Sequence, residues 1–174
     1  MGPVKVRVAV APALSRSDAA PIGVFARSAE RAGFDGIWLS DVPLGRGGDP
    51  LVDLAYLAAA TERLRLGANV VPVGRNPLVL ARQLAQIDQL SGGRLLLTFV
   101  PGLDQPGERQ ALGFPTGDRG PLLEEFLEVL RSWWSGGAEA HRGRHFDLPA
   151  LAVHPRPVQA PLEVWLGGKG PRAL

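Results

Sequence analysis

Cysteine is absent from the 174 residues. Disulfides, thiolate metal sites and cysteine nucleophiles are therefore excluded, and a reducing compartment fits. Lysine is nearly absent. Lys5 and Lys169 are the only two among 19 basic residues. The arginines are scattered and mixed with 17 acids, for a formal net charge of +2, so no dense basic patch invites nucleic acid. No apolar run approaches the ~20 residues of a membrane helix. The opening "MGPVKVRVAVAPAL" has no charged leader or cleavage site, which predicts a cytoplasmic protein. Also missing are GxxxxGK[ST], GxSxG and HExxH, and no GxGxxG follows the first apolar run. P-loop nucleotide binding, elbow-type acyl transfer and that zinc-hydrolase pattern have no support.

What remains is ordinary for one globular domain over residues 1–174: 45% hydrophobic and 21% charged. Apolar runs at Val4–Val10, 34–41 ("FDGIWLSD"), 64–71 ("LRLGANVV"), 94–100 ("RLLLTFV") and 162–168 ("LEVWLGG") read as strands. Between them lie helical patterns. The first is capped by Ser17 or Asp18 and ended by Gly33, with Val24, Phe25, Ala29 and Ala32 on or near one face. The second starts at Asp49-Pro50. The third starts at Asn76-Pro77 and closes at Gly92-Gly93. In these two pairs the side chain accepts from an orphan helical N–H, and proline sets the first helical φ without wasting a donor. A fourth, strongly amphipathic helix covers "PLLEEFLEVLRSWWSGG". Its tandem Trp133-Trp134 is expected to place one ring at an interface. The stretch from Ala138 to Pro161 reads as an irregular excursion or short hairpin.

Strand–helix alternation at about 30-residue spacing implies βαβ units and a parallel sheet. Either a doubly wound sheet or a (β/α)8 barrel satisfies that pattern, but five strands do not close an eight-stranded barrel. Active groups in both folds sit at carboxyl ends of strands, which singles out Asp41, with a loop or helix cap as its structural alternative. Asp35 and Asp88 read as structural. His141, His145 and His154 cluster in the excursion, in no metal-ligand spacing. The glycine-rich "LGGKG" at 166–170 reads either as an ordinary βα turn or as a set of N–H donors for an anion.

"AERAGFDGIWLSD" (29–41), "TERLRLGANVVPVGRNPLVLARQLAQIDQLSGGRLLL" (61–97), "LGFPTGDRGPLLEEFLEVLRSWWSG" (112–136) and "PRPVQAPLEVWLGG" (155–168) occur in an order and spacing that resemble the bacterial luciferase-like monooxygenases, including their coenzyme F-420 oxidoreductases. The resemblance implies a (β/α)8 barrel, of which about five βα units are present. It implies FMN or the deazaflavin F-420 at the strand ends, and oxygen activation or hydride transfer on a small organic substrate. By this resemblance Ser40 and Asp41 line the mouth, Asn69, Val70 and Val71 form a bulge behind the ring, and Thr98 offers a hydroxyl. The bulge is expected to contain a cis peptide near Asn69–Val70. No catalytic base is assigned, because the family's Asp-His is Asp41-Val42 here and its Arg-His-Pro is Arg75-Asn76-Pro77. The Gly-Val-Gly-x-Gly after the fourth strand is reduced to "TFVPG". Family members continue through three further strands, so an incomplete barrel is expected, with uncovered apolar surface that favours a homodimer. The alternative is a partial barrel that binds flavin or dimerises without turnover.

Overall fold

The computed structural model describes residues 7–12, 21–103, 106–113 and 119–168. The elements in chain order are β1 (Ala9–Val10), α1 (Ile22–Arg31), β2 (Gly36–Ser40), α2 (Pro50–Ala60), β3 (Arg65–Val70), α3 (Pro77–Leu90), β4 (Leu95–Phe99), α4 (Pro106–Ala111), α5 (Arg119–Ser135), β5 (His141–Arg142), β6 (Asp147–Leu148) and β7 (Val164–Leu166). Both Asx-Pro pairs open helices as the sequence predicts. Asp49 Oδ1 accepts from Leu51 N at 2.8 Å, and Asn76 Oδ1 from Val79 N at 3.2 Å. Gly92 and Gly93 follow α3 with φ of 63° and 78°, conformations that side chains resist.

The main sheet is parallel throughout, in the order β1-β2-β3-β4-β7. Strands added in sequence by right-handed crossovers place α1, α2, α3 and α5 on the same face. The helices accordingly pack side by side, α1 on α2, α2 on α3 and α3 on α5. A doubly wound sheet would reverse its strand order at a switch point, and this one does not. The architecture is an open segment of a (β/α) barrel wall. No helix among the described residues is long and apolar enough to cross a membrane.

Side chains alternate across the sheet. Ile37, Leu39, Leu66, Ala68, Val70, Leu95, Leu97 and Phe99 point to the helices and are buried. Trp38, Gly67, Asn69, Leu96, Thr98 and Trp165 fall on the other, concave face, as the pairings of Trp38 with Gly67 and of Thr98 with Asn69 and Trp165 require.

Three expectations change. α1 begins at Ile22 after Pro21, and Ser17 and Asp18 lie outside the described residues. Its buried stripe is Gly23, Ala26 and Ala29, while Val24 and Ala32 are exposed, because only small residues let this helix lie close to its neighbours. Trp133 and Trp134 are both buried, and Trp134 Nε1 donates to Ala81 O at 3.1 Å. The apolar stripe of α5 is wide enough to hold adjacent positions in pairs (122/123, 126/127, 129/130, 133/134), so neither ring is left for an interface. The stretch after α5 holds the short hairpin of its two expected readings, the antiparallel pair β5–β6, clasped by Glu125 of α5. That carboxylate accepts from the N–H groups of His145 and Phe146 and contacts His141 Nε2 at 3.1 Å. Burial opposes its ionisation, but these donors outweigh burial and hold its pKa below the usual range.

Candidate functional site

At the carboxyl ends of β2, β3 and β4, parallel register places Ser40 beside Asn69 and Asn69 beside Thr98, with Trp165 next in the same row. Neighbouring strands lie about 4.8 Å apart, so the three polar side chains span roughly 10 Å. Asn69 and Thr98 are half-buried and Ser40 is exposed. The side chain of Asn69 makes one contact, from Trp38 Nε1 to its Oδ1 at 3.0 Å. The hydroxyls of Ser40 and Thr98 and the amide nitrogen of Asn69 have no protein partner among the described residues. The row therefore presents an open edge of hydrogen-bonding groups on a face floored by two tryptophans, whose rings are parallel to within 7° at 6.0 Å.

Asp41, the residue just after β2, turns away from that row. Its N–H donates to Asn69 O at 2.9 Å. Its carboxylate accepts from Val71 N at 3.0 Å and from Arg75 Nη2 at 2.8 Å, with the side chain 5% exposed. Arg75 also reaches Asp49 Oδ2 at 3.0 Å and donates from Nε to Val71 O. Burial opposes the charge on Arg75, yet the two carboxylates outweigh it and raise the guanidinium pKa above its ordinary value. Beside this tie opens a cleft of about 340 Å³, lined by Val42, Gly48, Asp49, Val71, Arg75 and Leu112 among others. Asp41 thus joins the ends of β2 and β3 through Oδ2, and Arg75 extends the tie to Asp49 at the start of α2.

Of the six residues nominated from the sequence, the structure brings Ser40, Asn69 and Thr98 together. Val70 and Val71 are buried at 0% and 2%, and the Val70 side chain lies on the helix side of the sheet. The expected cis peptide is not there. The cis bonds among the described residues are His154–Pro155 and Ala160–Pro161. Asn69 O and Val70 O accept from Asp41 N and Val100 N in regular ladders on both sides, which leaves no room for a bulge. Trp38, Arg75 and Trp165 were not nominated, although alternation from Ser40 back to Trp38 along "GIWLS" places that indole on the open face. No described group of three His, Asp or Glu side chains is arranged to hold a metal.

A family model described as luciferase-like monooxygenase matches residues 5–174. This chain belongs to that family. Among its luciferase-like relatives is the pyrimidine monooxygenase RutA of Methylobacterium radiotolerans, 35% identical over 126 residues, which cover 70% of this chain and 32% of the relative. The monooxygenase RslO1 of Streptomyces bottropensis superposes with a TM-score of 0.76 at 28% identity, over 83% of this chain and 45% of that one. The coenzyme F420 dependent tetrahydromethanopterin reductase of Methanopyrus kandleri gives 0.77 over 98% and 52%; at 22% identity that likeness is one of fold. The chain spans about a third of the length of the curated luciferase-like relatives it matches.

Proposed function

We propose that this chain carries the ring-binding part of an oxidoreductase that uses reduced FMN or coenzyme F-420 on a small organic substrate. The supporting observation is the row Ser40–Asn69–Thr98, in register at the strand ends, whose two hydroxyls and carboxamide nitrogen have no partner among the described residues. The edge of an isoalloxazine or deazaflavin ring carries alternating carbonyl acceptors and N–H donors over a comparable length. Hydroxyls that both donate and accept, flanking a carboxamide, fit such an edge. When bound, the reduced ring supplies a hydride, or electrons to dioxygen; the protein supplies placement.

In this reading Ser40, Asn69 and Thr98 hold the ring edge, and the indoles below exclude water from its underside. Asp41 and Arg75 brace the strand ends that carry the row. Asp41 is assigned this bracing role because its Oδ2 accepts from both Val71 N and Arg75 Nη2. The names of the relatives include pyrimidine and long-chain alkane monooxygenases, which keeps the substrate a small organic molecule. The test is a fluorescence titration with FMN and, separately, with F-420. Saturable binding of one at micromolar concentration supports the reading and selects the cofactor; no binding by a folded sample refutes it.

A second reading, a partial barrel that dimerises without turnover, is favoured by the exposure of Trp165 (54%) and Leu166 (49%) at the β7 edge. A homodimer is compatible with either reading. Light scattering on the same sample measures the mass, and a monomer at all concentrations removes the homodimer.

A further inference from the structure

One member of the open row is oriented from behind. Trp38 lies two residues before Ser40 and pairs with Gly67. Glycine is needed there, since a Cβ at 67 would collide with the six-membered ring of the indole. The absence of a side chain lets the indole lie across β3 and stack on Trp165. From that position Nε1 donates to Asn69 Oδ1 at 3.0 Å. An indole nitrogen only donates, so the carboxamide must turn its oxygen toward Trp38. The Nδ2 amine then faces the other way, and it has no acceptor among the described residues.

Resting on the ring-binding reading above, we propose that Trp38 is a positioning residue. It fixes the Asn69 carboxamide so that two N–H donors are offered to the ligand. The ligand selected is a planar heterocycle whose edge presents an acceptor, a carbonyl or an imine-type nitrogen, at that point. Without the indole N–H, the oxygen and nitrogen of the carboxamide exchange places at little cost, and half of the population offers the wrong group.

Trp38→Phe keeps an aromatic ring over Gly67 and removes only the N–H. Two measurements on the whole chain test the proposal. The first needs no ligand: the hydrogen exchange of the Trp38 indole N–H is followed by NMR, and it is expected to quicken about tenfold in Asn69→Leu. Unchanged exchange overturns the lock. The second is titration with FMN and with F-420, read by the visible absorption band and by affinity. Trp38→Phe is expected to bind about tenfold more weakly, or about 1.4 kcal/mol, with its thermal midpoint near that of the parent. The double variant Trp38→Phe/Asn69→Leu is expected to bind no more weakly than Asn69→Leu, because both changes remove one function. Parental affinity in Trp38→Phe, with affinity lost in Asn69→Leu, overturns the positioning role. If Trp38→Phe does not fold, Asn69→Asp decides: Trp38 then donates to one carboxylate oxygen and the other repels the ring acceptor, so undiminished affinity overturns the proposal. A parent chain that binds neither ring refutes the ring-binding reading, while the exchange measurement still decides the lock by itself.

Discussion

The two ends of the sheet treat their polar groups in opposite ways. Around the amino ends of the strands every prominent charge is saturated. Glu30 accepts from the N–H groups of Glu62, Arg63 and Leu64. Arg94 donates to Thr61 Oγ1 and to the carbonyls of Ala58, Leu64 and Ser91. Asp88, fully buried, accepts from Val158 N, Gln159 N and Gln159 Nε2. At the carboxyl ends Asp41 and Arg75 close one tie, and the row beside it is left open. Polar groups satisfied internally stabilise; polar groups left half-buried and unpaired cost free energy unless something else meets them. In barrel folds that division separates the stabilising end from the chemical end.

The contrast can be broken by substitution, starting at the amino end. Asp88→Ala removes a fully buried carboxylate and strands three part-buried donors, and is expected to destabilise by about 3 kcal/mol, measured by urea unfolding. At the other end, Arg75→Leu leaves Asp41 and Asp49 facing each other across the cleft. It is expected to cost about 2 kcal/mol, since the pair is only partly buried, and to loosen ring binding as the strand ends shift. A parental midpoint for this variant would mean that Val71 N alone holds Asp41. Glu30 carries a pH dependence. Burial opposes its ionisation, but the N–H groups of Arg63, Leu64 and Glu62 outweigh burial and depress its pKa. A depressed folded-state pKa contributes stability above the unfolded value that is lost as pH falls through the folded one. Glu30→Gln should therefore lower stability most at neutral pH and flatten the acid limb, its difference from the parent shrinking as pH falls through and below the usual carboxylate range. Smallest in stability are Ser40→Ala and Thr98→Val, expected within about 0.5 kcal/mol of the parent. Their effect should appear in ring affinity, and the reverse pattern would put the row with the stabilising end.

What could be foreseen follows the range of the interactions. Asp49-Pro50 and Asn76-Pro77 are contiguous devices, and each caps the helix it precedes. The strands were legible from apolar runs, although β7 is shorter than its run, at Val164–Leu166. Ser40, Asn69 and Thr98 lie 29 positions apart, one βα unit each, so the parallel pattern brings them into one row. The burial of both Trp133 and Trp134 depended on how wide a stripe α5 covers, which no local pattern reports. The trans bond at Asn69–Val70 depended on unbroken ladders to two neighbouring strands. Arg75's bridge to Asp41 and Asp49 joins three loops whose spacing exists only after folding.

The tryptophans divide in a way that has an optical consequence. Four are present; Trp133 and Trp134 are enclosed in the helical layer, while Trp38 and Trp165 form a parallel pair on the open face. Excited on their own, the enclosed pair emits at shorter wavelength than an indole in contact with water, and the stacked pair adds coupled near-ultraviolet circular dichroism. Anything that comes to rest on the open face alters the long-wavelength part of the emission and the coupled signal and leaves the enclosed contribution in place. The chain thus carries a two-channel optical gauge, in which one channel registers occupancy of the open face and the other the integrity of the fold.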